Sequence, residues 1–430
     1  MHSVDLSSVL AGIKFKNPVI SGGSELAHNL QGVKRLIDAG VGGITTKTHT
    51  TVREVTYRPR PYQMPLRRFG EGYEQSGGFL TMACPDPYDL DLKIKEELPR
   101  MADACKRANI PFIISFFCHF DNPEEWGEYA TRFEKAGADM LELNFSCPDA
   151  KKAVEENIKG TEKIIQVTAG SVKSPVGLKI GLELEPLEKL SKIWVDAGAQ
   201  FIAAHNAPNG ILIDTENEIP FGFPNISCYI PGRSFVPLSV ARIIRIKQVV
   251  DIPIIGIGGI YSGNDALQYI LSGCPVVLIC TAVFLRGTKI IKNTVKEIQE
   301  WMERKGYKTP KEFEGKIIRS LTSAAETKTK TEGALSVPPE TPYFPLIYGE
   351  HCTKCGDCWN ACDAGAIRYD KRSKKVVVDK DLCWSCGLCV GLCEEEAITL
   401  VSKKNKDEVI WDVTKGLPKP FKKIVDEKIR

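Results

Sequence analysis

The sequence predicts an α/β chain in two parts, a (β/α)8 TIM barrel followed by a small C-terminal domain built on cysteine ligands. Three observations carry that expectation. Eight short strand-like runs alternate with apolar-periodic helical stretches up to about residue 300, and eight βα units in that length read as a closed barrel. Two adjacent glycines, Gly258 and Gly259, end the seventh run, and a small-residue turn ends the eighth. Finally, Cys352, Cys355, Cys358 and Cys362 form one four-cysteine run and Cys383, Cys386, Cys389 and Cys393 a second, each spaced C-x2-C-x2-C-x3-C.

The eight expected strands are Val19–Ser21, Gly43–Lys47, Phe112–Ser115, Met140–Asn144, Val176–Ile180, Phe201–Ala204, Ile252–Gly256 and Val276–Cys280. Helical periodicity lies between them, as in Gln31–Ala39, Pro123–Ala136, Leu187–Ala197 and Asn264–Ser272. Several of these helices stop at Gly40, Gly137 or Gly198, the residue that closes a helix in the left-handed conformation. Two connections are long, from Thr48 to Asn109 and from Asn206 to Asp251. Both follow strand C-termini, where barrels build their sites. The expected division is a barrel over 1–305, a Lys-, Thr- and Pro-rich linker over 306–345, a cysteine domain over 346–402 and a basic tail over 403–430. A short β pair follows each cysteine run, Ala366–Tyr369 with Lys375–Val378 and Ala397–Val401 with Glu408–Trp411.

Net charge is only +3 over 430 residues, which gives no electrostatic case for nucleic acid. The N-terminus lacks the basic and apolar regions of a signal peptide. The longest apolar run, Val276 to Leu285, is about half a membrane span. A cytoplasmic protein without membrane attachment is expected.

The cysteine spacing is the ligand pattern of a two-cluster [4Fe–4S] ferredoxin-like domain, in which the fourth cysteine of each run serves the other cluster. Cys352, Cys355 and Cys358 should therefore share a cube with Cys393, and Cys383, Cys386 and Cys389 with Cys362. Zinc sites favour two separated C-x2-C pairs, and disulfides need an oxidising compartment. Asp363 and Glu394 stand where proline usually follows the fourth cysteine. Acidic charge beside a cluster disfavours its reduction, so at least one low-potential cluster is expected.

Clusters carry single electrons, so the barrel should hold a group that trades with them. The Gly256-x-Gly258-Gly259 turn and the Cys280-Thr281-Ala282 turn suit a phosphate held on backbone N–H groups. Tyr261 stands where a dinucleotide fingerprint needs its third glycine. Lys47 and Lys179 both lie at strand C-termini, and a lysine in such an interior needs an anion. A phosphate site, strand-end lysines and clusters together point to FMN, which takes electrons in pairs and passes them singly.

Leu141-Glu142-Leu143-Asn144-Phe145-Ser146-Cys147-Pro148 resembles the N-x-S-C-P signature of the dihydropyrimidine and dihydroorotate dehydrogenases. Asn17-Pro18, Thr46-Lys47-Thr48, Lys179, His205-Asn206 and Gly256-x-Gly258-Gly259 follow in that family's order. With its fused cysteine domain, the chain is most similar to the FMN/ferredoxin portion of the dihydropyrimidine type, the catalytic-subunit form included. The resemblance implies that Gly22, Gly23, Lys47, Thr48, Lys179, Gly232, Gly258, Gly259, Cys280 and Thr281 hold FMN. It implies Cys147 as general acid/base, and Asn144, Ser146 and Asn206 as hydrogen-bonding partners of the substrate's polar edge.

The substrate region departs from the family. Thr81 and Ala83 stand where it has Asn and Glu, Ala207 where it has Thr, and the charged segment 149–157 where it has a glycine-rich lid. Polar-edge contacts discriminate strongly between substrates, so a substrate less polar than a pyrimidine is expected. Cys84, Cys118, His49, His119 and His205 are further candidates for this neighbourhood, with Cys118 or His119 as a second possible proton source.

The leading expectation is an oxidoreductase acting on a CH–CH group. It would move hydride between FMN and a C–C bond conjugated to a carbonyl in a small cyclic or conjugated substrate. Electrons would pass through the clusters to a ferredoxin or to a separate FAD/NAD(P)-binding subunit, since no nicotinamide-binding unit is legible. A pyrimidine or dihydroorotate dehydrogenase proper is the second reading, and an electron-transfer subunit with an idle barrel the third. The family's habit implies a homo- or hetero-oligomer.

Overall fold

The computed structural model describes residues 4–53, 63–66, 78–82, 85–146, 154, 157–220, 228–318, 321 and 342–415. The chain divides into two compact units, Met1–Ile318 and Arg319–Arg430.

Among the described residues of the first unit, eight parallel strands close into a barrel. They are β1 (Val19–Gly22), β2 (Ile44–Thr45), β3 (Phe112–Phe117), β4 (Met140–Asn144), β5 (Val176–Ile180), β6 (Phe201–Ala204), β7 (Ile254–Ile257) and β8 (Val276–Ile279). Each pairs with its successor, and β8 pairs back to β1, Val277 opposite Val19. These strands read as continuous apolar or small-residue runs because both faces are buried, the inner by the barrel and the outer by helices. The antiparallel pair Ser8–Leu10 and Ile13–Phe15 contributes Leu10 and Phe15 to a barrel core with Ile20, Ile113, Met140, Phe201 and Ile255.

The outer helices are amphipathic. Pro123–Lys135 starts at proline, has Glu124 and Glu125 in its first turn and Arg132 and Lys135 in its last, and buries Trp126, Ala130 and Phe133. Those charges complement the helix dipole. Both long connections contain a barrel helix, Leu98–Arg107 after β2 and Val236–Val249 after β6, so each is a shorter loop than the sequence suggests. Residues 306–318, expected as linker, belong to the barrel unit. Phe313 is fully buried, its ring 4.9 Å from that of Trp301 and 5.1 Å from that of Tyr307. No helix among the described residues is long and apolar enough to cross a membrane.

The second unit has two small antiparallel sheets. One holds β9 (Tyr343–Ile347), β12 (Ile398–Ser402) and β13 (Val409–Trp411), and the other β10 (Ile367–Asp370) and β11 (Lys375–Val378). The sequence reading places β10 to β13 within a residue or two and misses β9. Residues 409–411, assigned to the tail, are part of the sheet.

Candidate active site and cluster ligands

The C-terminal ends of the barrel strands surround a hollow of about 1190 Å³, open solvent at its mouth included. All ten residues expected to hold flavin line it: Gly22, Gly23, Lys47, Thr48, Lys179, Gly232, Gly258, Gly259, Cys280 and Thr281. So do Asn144, Asn206 and Thr81. Cys147, the expected acid/base, lies outside the described residues, as does Cys84; the segment after Cys147 is described only at Val154 and Asn157.

Glycine is required in this wall. Gly22 has φ +122°, and a Cβ there would stand 1.9 Å from the Thr45 carbonyl oxygen. Gly259 has φ +64°, and its Cβ would meet the Gly232 carbonyl oxygen at 2.6 Å. Both positions combine a backbone that side chains disfavour with space for hydrogen only.

The two lysines differ. Lys47 Nζ donates to Glu25 Oε1 at 3.0 Å, so its charge is compensated within the chain. Lys179 is 8% exposed, and among the described residues no carboxylate lies within ion-pair reach of it. A Cβ on Gly23 would stand 3.6 Å from Lys179 Nζ, so the glycine keeps the space before the ammonium clear. Glu142, one turn of the pleat away on β4, is fully buried, and burial pushes its carboxyl up against the opposing pull of Lys179. A buried cation facing an open hollow calls for an anionic ligand. The glycine wall and Lys179 therefore fit a phosphate-bearing flavin that gains negative charge on reduction.

Asn144 is fixed by its neighbours. Its Oδ1 accepts from the Ser146 amide at 3.0 Å and from Ser146 Oγ at 2.7 Å, and its Nδ2 donates to Thr48 Oγ1 at 2.8 Å. The donating Ser146 amide fixes which amide atom is oxygen, and one Nδ2 hydrogen remains for a ligand. Ser146, expected at the substrate edge, instead spends its hydroxyl on Asn144 and lines a small adjoining hollow. Its carbonyl oxygen accepts from Asn206 Nδ2 at 3.3 Å and from the Tyr229 hydroxyl at 3.2 Å. Together these bonds fix the backbone just before Cys147. Thr81 is held by exchange of backbone bonds with Tyr229 at 2.9 and 2.8 Å, while its buried hydroxyl has no partner among the described residues.

Of the other candidates, His205 lines the hollow. Cys118 does not, and burial, then the Glu125 charge, pushes its thiol well up, so it cannot serve as a proton source near neutrality. His119 is half-exposed and paired with Glu125 at 2.9 Å. His49 is buried, 3.6 Å from Asp86, too far for a hydrogen bond. Burial outweighs the Asp86 charge and pulls the His49 imidazole down to about 4; burial, with the Arg242 charge, pulls His205 down to about 3.

Both histidines are thus neutral when folded but titrate near 6.5 when unfolded. A depressed folded pKa stabilises the protein above the unfolded value, and that stability is lost as pH falls toward the folded one. The melting temperature is expected to fall steadily from about pH 6.5 to 4, less so in His205→Gln. A melting temperature constant across that window would contradict this.

In the second unit, one hollow is lined by Cys352, Cys355, Cys358 and Cys393. Another is lined by Cys362, Cys383, Cys386 and Cys389, and by Cys358 as well. The first hollow gathers the four cysteines of one crossed set, and the second gathers the four of the other together with Cys358. Burial first, then Cys352, Cys355 and Cys393, pushes the Cys358 thiol up to about 11. Burial, then Cys386, Cys383, Cys358 and Cys362, pushes Cys389 up to about 12. Among the described residues no three such ligands converge on a single metal ion. Thiols spread around a shared hollow suit the corners of an iron–sulfide cube better than a mononuclear zinc site.

Neither Glu25 nor Tyr229 is legible as a site residue in the sequence. Glu25 is one acid among many in a loop, and Tyr229 comes from a long connection whose path no periodicity reveals.

A family model described as dihydroorotate dehydrogenase matches residues 5–302, and one described as a 4Fe-4S dicluster domain matches residues 351–397. The chain is 29% identical over 303 residues to the dihydroorotate dehydrogenase B (NAD(+)) catalytic subunit of Methanocaldococcus jannaschii, covering 69% of this chain and 94% of that one. The proteins of the same name from Pyrococcus horikoshii and Geotalea uraniireducens are each 27% identical. They align over 314 and 327 residues, 72% and 74% of this chain and 97% and 100% of theirs.

Proposed function

The chain belongs to the dihydroorotate dehydrogenase family of flavoprotein oxidoreductases and carries a 4Fe-4S dicluster domain; from that membership we propose an enzyme that moves hydride across a C–C bond conjugated to a carbonyl. Its substrate is small, cyclic or conjugated, and less polar at its edge than a pyrimidine. The observation that carries this reading is the hollow at the barrel mouth. There the flavin-holding residues and the spare Asn144 N–H meet Thr81, whose short hydroxyl replaces a longer amide, and Ala207, which offers no side-chain hydrogen bond.

FMN, when bound, supplies hydride exchange and passes the electrons on singly. Lys179 sets charge against the flavin and Lys47, tied to Glu25, holds the neighbouring wall. Asn144 and Asn206 orient the substrate carbonyl. Cys147 exchanges the proton at the carbon beside the one that exchanges hydride, as addition across a conjugated double bond requires. The two cysteine sets would hold clusters, which would supply one-electron exchange with a ferredoxin or a separate FAD/NAD(P)-binding subunit.

A second reading is dihydroorotate oxidation, favoured by the similarity to dihydroorotate dehydrogenase B catalytic subunits and by the presence of Asn144, Ser146 and Asn206. Anaerobic mixing of the oxidised protein with dihydroorotate and, separately, dihydrouracil distinguishes them. The proposal expects neither to bleach the flavin, dithionite to bleach it fully, and a screen of cyclic enones and conjugated thioesters to yield a substrate. Rapid bleaching by dihydroorotate would establish the second reading instead. Thr81→Asn, which restores a side-chain amide at the pocket edge, is expected to speed bleaching by dihydrouracil about tenfold or more. An unchanged rate would mean that this edge does not set specificity.

A further inference from the structure

The two halves of the cysteine unit repeat one another in backbone and exposure. Gly356 and Gly387 have φ +110° and +79°, and Lys354 and Ser385 have +63° and +57°. Cys355 and Cys386 are exposed, while Cys358 and Cys389 are buried. A backbone N–H reaches sulfur in each set, Ala397 to Cys393 Sγ at 3.3 Å and Ser385 to Cys383 Sγ at 3.4 Å. Solvent exposure, one influence on a cluster's potential, is thus alike at three of the four paired positions, Cys352 being half-buried where Cys383 is buried.

Charge is not matched. The first hollow is lined by Asp357, Glu394 and Glu395, with Lys354 the one basic residue beside them. The second is lined by Asp363 as its single charged residue. In the repeat, Leu388 stands in place of Asp357 and Ala364 in place of Glu395. Lys403 lies near Cys383, where Lys380, Lys403 and Lys406 gather together with Asp381. The first hollow is the more acidic of the two.

Reduction adds one negative charge to a cube, which neighbouring carboxylates oppose and neighbouring ammonium groups assist. We propose that the two clusters are unequal: the cluster on Cys352, Cys355, Cys358 and Cys393 has the lower potential, and the first electron entering the unit rests on the cluster of Cys383, Cys386, Cys389 and Cys362. This rests on the reading that both thiol sets hold clusters, which iron and sulfide analysis of the same samples tests separately. Each cube takes one electron, supplied in the test by dithionite.

The experiment is a potentiometric titration of the full chain followed by electron paramagnetic resonance. Two one-electron waves are expected. Glu394→Gln with Glu395→Gln should raise the lower wave, changing the oxidised-to-reduced ratio at a fixed potential about fivefold, and leave the upper wave in place. Lys403→Gln should lower the upper wave. All three side chains are solvent-facing or partly so, and Asp357→Asn gives an independent acid removal. In the unaltered protein, raising ionic strength should narrow the gap, since it screens exposed charge. A single wave, a gap indifferent to salt, or acid removal that moves the upper wave would overturn the assignment, whereas samples lacking iron and sulfide would overturn the cluster reading beneath it.

Discussion

Cys147→Ser is expected to slow substrate-dependent flavin bleaching by about 10²–10⁴-fold, the usual worth of a positioned general acid or base. A thiol and a hydroxyl differ little in size, but the hydroxyl cannot titrate near the working pH. The backbone that delivers residue 147 is held independently of its side chain. The Ser146 carbonyl accepts from Asn206 and Tyr229, and the Ser146 amide and hydroxyl donate to Asn144. The substitution should therefore leave the flavin spectrum and the melting temperature unchanged, and flatten the alkaline limb of the pH profile. A rate within about twofold of the parent would remove Cys147 from the chemistry. Because Cys118 is buried and its thiol pushed up, that outcome would point to a proton source other than either thiol.

The other large effect belongs to Lys179. Its ammonium is buried on β5 without a carboxylate in ion-pair reach among the described residues. With flavin held as proposed, Lys179→Met would remove a charge-assisted contact to it, worth about 1.5–3 kcal/mol or roughly 10- to 150-fold in affinity. The same change should raise the melting temperature of the flavin-free protein, because an uncompensated buried cation is costly and a thioether of similar length is not. Opposite signs in the two measurements distinguish a ligand-directed lysine from a structural one. If flavin retention were unchanged, or both quantities fell together, Lys179 would not be the group that faces the flavin. Lys47→Met should behave differently, since it strands Glu25.

These expectations also show what the residues could reveal. The barrel strands were legible because they are buried on both faces, so each is a short apolar or small-residue run bounded by glycine or a polar turn. The dicluster domain was legible from spacing alone, since C-x2-C-x2-C-x3-C fixes a local backbone wherever it occurs. The strand Tyr343–Ile347 was hidden by Pro345, which argues against a central strand. It is an edge strand, where a missing N–H is tolerated. Helix Leu98–Arg107 was read as part of one long loop because polar residues dominate the segment between Thr48 and Met101.

Long-range pairing was the least legible feature. Glu25 reaches Lys47, Tyr229 reaches both Thr81 and the Ser146 carbonyl, and Lys93 pairs with Asp86 in an interior behind Thr48. No local pattern announces such contacts, because each depends on where two distant loops meet. The sequence therefore identified both lysines as facing one hollow but not that one of them is already compensated. It placed Ser146 at the substrate edge, whereas the fold uses that residue to orient Asn144.

The central proposal is that one polypeptide holds FMN at the barrel mouth and two clusters in its C-terminal unit. An anaerobic reductive titration of the purified full chain, followed in the flavin and cluster absorbance bands, tests it most directly. The account predicts about four electrons per chain, two for the flavin and one for each cube, with iron and sulfide near eight each. Uptake of about two electrons by flavin alone, with zinc in place of iron, would contradict it.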